Sequence, residues 1–251
     1  MIKMFYDSHA HINMLTKKEL EEMLERTKDK YVDEIISCST SFESNKQNLL
    51  LSKKFPQIKA AIGLYPLDAM ELEEKELDRA FGFFEKHIKE VKAIGEVGMD
   101  YKYCKTDEDK EKQKDIFIRF IELGKKYDKP LIIHSRYAQR QVIETLEKED
   151  CEKVLLHSFV DSKKLMLRAA NNNWFVGVGM SVLFNEQVQR NISEFPIENL
   201  LLETDSPIRF DGKKAMSDDI ISIANKVASL KEIEIGLIEK RQEANYTKLF
   251  E

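Results

Sequence analysis

The sequence predicts a (β/α)8 barrel, eight parallel strands each followed by a helix, in one domain spanning residues 1–251. Three observations carry this. Eight short apolar runs alternate with longer amphipathic stretches over about 230 residues. Most of those runs are continuously apolar, as strands buried on both faces of a parallel sheet read. The chain of 251 residues also has the length such a barrel needs, with no Pro/Gly/Ser-rich linker, internal repeat or low-complexity tract. An open doubly wound sheet is the main rival. It would carry a glycine-rich phosphate loop after the first strand, and none stands there.

Strand one is the run Phe5-Tyr6-Asp7-Ser8-His9-Ala10-His11. After it, Thr16-Lys17-Lys18-Glu19 reads as a capping box, followed by Leu20, Met23 and Leu24 at helical spacing. Residues 32–38 form strand two, and a helix around 49–55 stops at Pro56. Residues 58–64 are strand three, followed by a long acidic helical stretch over 71–89. Residues 91–97 are strand four; its helix carries Ile116, Phe117, Phe120 and Ile121 on one stripe and ends before Pro130. Strands five to eight are read at 131–134, 154–157, 174–178 and 200–205. A last helical segment, about 233–250, is expected to pack across the barrel as an extension.

Composition narrows the classes of function. With 42% apolar and 34% charged residues, the chain has enough apolar content for a full core. The net charge of −5 argues against a broad basic surface for gripping duplex nucleic acid, though not against a local cationic pocket. Cys38, Cys104 and Cys151 are odd in number and widely spaced, which suggests reduced thiols and a cytoplasmic setting. Met1-Ile2-Lys3-Met4 runs straight into strand one, so no leader is expected, and no apolar run is long enough to cross a membrane. Lysine far outnumbers arginine, which fits a hot habitat or an AT-rich genome equally.

The chemistry is read from polar residues at strand ends. Side chains alternate along a strand, so Asp7, His9 and His11 share one side. Two imidazoles about 6–7 Å apart along the strand can converge on one cation. Asp7, one step deeper, can accept from a ligating ring's other nitrogen. Glu96 ends strand four, His134 strand five, His157 strand six and Asp205 strand eight. In a barrel all these ends open on one face, where barrel active sites are built. Four of the five histidines fall there, and only His87 sits in a helix. Imidazole and carboxylate without cysteine suit Zn²⁺, Mn²⁺, Fe²⁺ or Co²⁺, while Mg²⁺ prefers more oxygen. Six ligands exceed what one tetrahedral catalytic ion takes. They suit two divalent ions (Zn²⁺, Mn²⁺ or Mg²⁺) about 3.5–4 Å apart, sharing a carboxylate and an activated water. Glu203 shares a face with Asp205, and as a buried carboxylate it reads as a partner to a metal-bound histidine.

At these motifs the chain resembles the TatD-related metal-dependent hydrolases and deoxyribonucleases, within the amidohydrolase barrels. The resemblance covers essentially the whole chain. It runs through Asp7-Ser8-His9-Ala10-His11, Gly95-Glu96-Val97-Gly98-Met99-Asp100-Tyr101, Pro130-Leu131-Ile132-Ile133-His134-Ser135-Arg136, Leu202-Glu203-Thr204-Asp205-Ser206-Pro207 and the closing Asn245-Tyr246-Thr247-Lys248-Leu249-Phe250. It implies one metal held by His9, His11, Glu96 and Asp205, and a second held by Glu96, His134 and His157, with Glu96 bridging. The implied activity is exonucleolytic hydrolysis of phosphodiester bonds in DNA, with single-stranded or frayed ends favoured. Two departures stand out. Where the family shows Gly-x-His-Pro-His, this chain has Gly63-Leu64-Tyr65-Pro66-Leu67, and the family's His-Cys-Phe-Ser-Gly is here His157-Ser158-Phe159-Val160-Asp161.

Among the remaining residues, Arg136 and Arg209 follow strands five and eight and could grip a phosphate, or make a rim salt bridge instead. Tyr65, Tyr101, Tyr103 and Phe159 are placed to stack on bases or to pack locally; Tyr65 joins the two arginines as an expected substrate contact. Asp205 is the expected base: the histidines are committed as ligands and Glu96 bridges, so only Asp205 keeps a free basic oxygen. The alternatives are hydrolysis of an amide, lactone or aminoacyl ester, and a non-catalytic metal-binding protein. Barrels of the former kind often bridge their metals with a carbamylated lysine at the end of strand four, where Glu96 stands. The intact ligand set argues against the latter. A histidinol-phosphatase-like site would want a late Asp-x-His, and Asp205-Ser206-Pro207 offers none.

Overall fold

Eight parallel strands run in chain order around one sheet: β1 Phe5–Ala10, β2 Val32–Cys38, β3 Ile58–Ile62, β4 Ala93–Asp100, β5 Leu131–Arg136, β6 Val154–Leu156, β7 Phe175–Val178 and β8 Leu200–Leu202. The computed structural model describes residues 4–160 and 162–251. Residues 1–3 of the leading run, and Asp161 at the end of the departure after strand six, lie outside them. Among the described residues, ten α-helices follow the strands: α1 Lys17–Asp29, α2 Phe42–Lys54, α3 Pro66–Glu71, α4 Glu74–His87, α5 Asp107–Tyr127, α6 Gln139–Lys148, α7 Lys163–Asn171, α8 Glu186–Glu194, α9 Ile220–Leu230 and α10 Ile235–Phe250. A short hairpin, β9 Arg209–Phe210 with β10 Lys213–Lys214, leaves the loop after β8. This is the expected barrel.

The local signals behave as their chemistry requires. Glu19 N donates to Thr16 Oγ1 at 3.3 Å and Thr16 N to Glu19 Oε2 at 2.9 Å, closing the capping box of α1. Asp128, at φ 52°, ends α5 in the left-handed conformation ahead of Pro130. The Ile116, Phe117, Phe120 and Ile121 stripe is buried. Other boundaries differ. α2 starts at Phe42 rather than near Leu49, because its inner face is polar: Asn45 pairs with the Gly63 backbone in both directions, and Asn48 bonds Ser37 and Ser39. The acidic stretch over 71–89 breaks at Leu72-Glu73, where Glu73 N donates to Glu76 Oε2 at 3.0 Å and acidic residues favour a new helix N-terminus. β3, β6 and β8 stop two, one and three residues short of the expected 64, 157 and 205.

The seam between β1 and β8 is the part of the sheet that positions chemistry. No regular ladder joins these two strands, and side chains fill the gap. Ser8 Oγ donates to Leu202 O at 2.7 Å, and Gln242 of α10 accepts from Leu202 N at 2.8 Å and donates to Leu200 O at 3.0 Å. Asn245 Nδ2 also donates to Leu200 O at 2.8 Å. Tyr246 stacks on Tyr6, ring centroids 4.2 Å apart, and its hydroxyl donates to Glu34 at 2.7 Å. The closing helix therefore satisfies backbone groups that a strand neighbour would otherwise meet. Beyond β8, Asp205 N donates to His9 O at 3.0 Å and His11 N to Ser206 O at 2.6 Å, completing the closure. Among the described residues, no helix is long and apolar enough to cross a membrane.

Candidate metal centre

The six expected ligands converge at the C-terminal mouth of the barrel. His9 lies in β1 and His11 one residue beyond it. Glu96 sits inside β4 rather than at its end, because β4 continues paired to β5 through Asp100↔Arg136. The register shifts between Ile94 and Val97, and such an irregularity re-aims a side chain. Gly98 permits the pairing that follows: at φ 137°, a Cβ there would lie 2.2 Å from His134 O. His157 stands in the turn just past β6. Next to it Ser158 holds φ 48°, and across the mouth Tyr137 and Asp205 each hold φ 57°. Non-glycine residues rarely adopt this region, and such strain gathers where a fold must aim functional groups.

Two imidazole nitrogens face two carboxylates. His9 Nε2 and His11 Nε2 are 3.2 Å apart; His9 Nε2 is 3.8 Å from Glu96 Oε2 and 3.5 Å from Asp205 Oδ1; His11 Nε2 is 3.3 Å from each of those oxygens. Ligands about 2.0–2.1 Å from a tetrahedral ion lie about 3.3–3.4 Å apart, so the spacing suits one cation. His11 Nδ1 lies 3.1 Å from Cys38 O, an acceptor only, so Nδ1 carries the hydrogen and Nε2 presents its lone pair inward. Asp205 Oδ1 is buried with no hydrogen-bond partner among the described residues. A buried carboxylate oxygen left without a donor beside two imidazole nitrogens is the setting of a cation-binding group.

A second group shares the same carboxylate. Glu96 Oε2 faces His9 and His11, while Oε1 lies 2.7 Å from His134 Nδ1. His157 stacks on His9 with ring centroids 3.7 Å apart, and its Nε2 is 3.9 Å from Asp205 Oδ2. Ligand atoms of His9, Glu96 and His157 lie within 4.8 Å of one another. His134 stands further out, its ring centroid 6.5 Å from that of His157. Glu203 Oε1 approaches His157 Nδ1 at 2.9 Å, an ionic contact off the hydrogen-bond line, and accepts from Ser158 N at 2.7 Å. Gly177 makes room for this carboxylate, since a Cβ there would fall 2.1 Å from Glu203 Oε2.

The electrostatics agree. Burial alone would lower the His11 imidazole, but Asp205 and Glu96 push it up to about 10. Burial likewise opposes, and Glu203 and Asp205 overcome, a rise of His157 to about 9. Burial would raise Glu96, yet His134, His11 and His9 hold it well below the usual carboxylate range. The cluster demands positive charge, which either bound protons or a divalent cation can supply.

Several expected residues are placed otherwise. Asp7 does not reach a histidine: its oxygens accept from Thr204 N at 2.9 Å and Thr204 Oγ1 at 2.6 Å, so it clamps the β1–β8 seam. Tyr65 does not open its hydroxyl to the cleft, because that group bonds Asp100, Arg136 and His134. Arg209 is exposed and donates to Gly212 O at 2.8 Å within its own hairpin. Phe159 is buried in the core, whereas Tyr103 is exposed with the Arg136 guanidinium 5.2 Å from its ring centre. Arg136 pairs with the buried Asp100 through Nε at 3.0 Å and Nη2 at 2.6 Å. It also lines a cleft of about 320 Å³ with His134, His157, Ser158, Asp205 and Ile208. Asp100 is the residue that sequence reasoning left without a role. Strand alternation from Glu96 through Gly98 puts it on the same side, and that was its signal.

Comparison with known proteins agrees with this geometry. Residues 6–251 match the model of the family described as TatD related DNase. The chain is similar to the metal-dependent hydrolase YabD of Bacillus subtilis, 31% identical over 98% of this chain and 99% of that one. It is also similar to human deoxyribonuclease TATDN3, 28% identical over 97% of this chain and 93% of that one. Among solved structures, the TatD homologue YjjV of Escherichia coli superposes with a TM-score of 0.89, 25% identity and coverage of 98% and 97% of the two chains. With a family match across nearly its whole length and a seam-built cation site, this chain belongs to the TatD related DNase family.

Proposed function

We propose that this chain, acting as one domain over residues 1–251, is a two-cation deoxyribonuclease that removes nucleotides from single-stranded or frayed ends. The observation that carries the reading is the pair His9 Nε2 and His11 Nε2, 3.2 Å apart, each 3.3–3.8 Å from Glu96 Oε2 and Asp205 Oδ1. The family and the naming of TATDN3 as a deoxyribonuclease support DNA as substrate. Cation use itself follows from the ligand cluster and from relatives named as metal-dependent hydrolases.

His9, His11, Glu96 and Asp205 would hold one cation, and Glu96, His134 and His157 a second. The mixed imidazole and carboxylate donors suit Zn²⁺ or Mn²⁺, with Mg²⁺ as the oxygen-preferring alternative. Bound cations supply Lewis acidity, lowering the pKa of water and neutralising charge on phosphoryl oxygens. Glu203 orients His157, and Asp7 holds the seam on which His9 and Asp205 are mounted. Arg136, anchored by Asp100 at the cleft wall, presents guanidinium to a phosphate. Asp205 turns Oδ1 to the ligand group and keeps Oδ2 for the proton of the attacking water, later returned to the leaving oxygen. Glu96, not lysine, bridges the two groups, which favours this chemistry over amide hydrolysis. Cys38, Cys104 and Cys151 are free thiols, supporting a cytoplasmic setting.

The test is digestion of end-labelled single-stranded DNA, duplex DNA and RNA by cation-stripped protein, without and with Mn²⁺, Zn²⁺ or Mg²⁺. Stepwise shortening of single-stranded DNA that needs a cation is the expected result. Cation-dependent activity confined to RNA, or none on any oligonucleotide, would overturn the substrate assignment.

A further inference from the structure

We infer that the Tyr65 hydroxyl is a positioning group that fixes the tautomer and ring orientation of His134, and so sets the affinity of the outer cation site. This rests on the two-cation reading above.

Tyr65 follows β3, held by its N–H to Thr40 O at 2.8 Å and by Pro66 at the start of α3. Its hydroxyl meets three groups: Asp100 Oδ2, Arg136 Nη2 at 3.1 Å and His134 Nε2 at 3.2 Å. A hydroxyl has one hydrogen to give and two lone pairs. Asp100 is fully buried and its ionised carboxylate only accepts, so the hydroxyl hydrogen goes there. Arg136 only donates and takes one lone pair. The group left to face His134 is a lone pair, so His134 Nε2 must carry a hydrogen. Nδ1 donates to Glu96 Oε1 at 2.7 Å in the cation-free chain, and with the Nε2 hydrogen held by Tyr65 it is the nitrogen whose hydrogen an outer cation would displace. The Tyr65 ring also meets the imidazole edge-on, centroids 4.8 Å apart and planes at 62°.

The hydroxyl is therefore spent on positioning and not on substrate. This chain carries Tyr65 where the motif it resembles has histidine.

The experiment is calorimetric titration of cation-stripped protein with Mn²⁺ for wild type, Tyr65→Phe and His134→Ala, with melting temperatures of the cation-free proteins as the folding control. Wild type should bind two equivalents and His134→Ala one. Tyr65→Phe should keep the inner site at wild-type affinity and bind the second ion about 10–100-fold more weakly, the usual effect of losing such a partner. Nitrogen-15 spectra of the Zn²⁺-loaded proteins should show His134 with its hydrogen on Nε2 in wild type and as a mixture in Tyr65→Phe. If His134→Ala loses one ion while Tyr65→Phe binds both as wild type does, Tyr65 does not position His134. If His134→Ala loses none, the two-cation reading fails and this inference with it. Should Tyr65→Phe melt too low to titrate, Asp100→Ala, which removes the acceptor holding the phenol hydrogen, should show the same selective weakening; unaltered binding there counts against the inference.

Discussion

Asp205→Asn separates holding a cation from moving a proton at the same side chain. Asparagine has the same shape and still places an oxygen near His9 Nε2 and His11 Nε2, 3.5 and 3.3 Å from Oδ1 in the native chain. It also tolerates the backbone, because Asn adopts the left-handed region that Asp205 occupies at φ 57° more readily than most residues. The bonds from Asp205 N to His9 O and from Ile208 N to Asp205 O involve main chain only, so closure of the seam survives. What disappears is the basic Oδ2 and one negative charge. Loss of a general acid–base group costs about 10²–10⁴ in turnover, or roughly 3–5 kcal/mol at 1.36 kcal/mol per tenfold. We expect kcat on end-labelled single-stranded DNA to fall by that factor at saturating Mn²⁺, with an unchanged melting temperature and a cation still bound by elemental analysis. A kcat within a few-fold of wild type at full occupancy would show that the proton leaves by another route.

Gly177→Ala should lower the urea midpoint by an amount equal to about 1–3 kcal/mol, the usual overpacking range, because its Cβ would fall 2.1 Å from the buried Glu203 carboxylate. An unchanged midpoint would mean that Glu203 has room to retreat. Arg136→Ala should raise KM on DNA by about 10-fold or more, the scale of a lost hydrogen bond to a charged group, whereas Arg209→Ala should leave kcat and KM within about twofold. A tenfold effect at Arg209 would show that its hairpin swings to the substrate. Burial would raise the Asp218 carboxyl, but Arg26 and Lys30 hold it below its usual value. The native state therefore binds the proton less readily than the unfolded chain, and this stability is present above about pH 4 and lost as pH falls through the lowered native pKa. Asp218→Asn should flatten that acid slope in thermal melts taken below about pH 4; an unaltered slope would place the acid sensitivity elsewhere.

The sequence was most informative where one residue type has one structural reading. Continuous apolar runs became the eight strands, and the Thr16–Glu19 box and the Phe117 stripe were legible because capping and helical periodicity are local. The clustering of the candidate ligands was legible for a similar reason: histidines at strand ends point to one mouth whatever the loops do. Less legible were features set by partners distant in sequence. The polar inner face of α2 is explained by Asn48 meeting Ser37 and Ser39, which no apolar pattern shows. Asp7 looked like a partner for His9, but Thr204, nearly two hundred residues on, takes both its oxygens. Tyr65 and Arg209 stand at the right strand ends for substrate contact. Their polar atoms are claimed by Asp100, Arg136 and His134 in one case and by a hairpin turn in the other.

On the two-cation proposal, both ions would share Glu96 and hydrolysis would need both. Stepwise addition of Mn²⁺ to cation-stripped protein, with bound ion and cleavage of end-labelled single-stranded DNA followed together, tests it most directly. Cleavage should be slight at one equivalent and complete only as the second site fills, with Glu96→Ala inactive at any Mn²⁺ concentration. Full cleavage with a single bound ion, or with none, would contradict it.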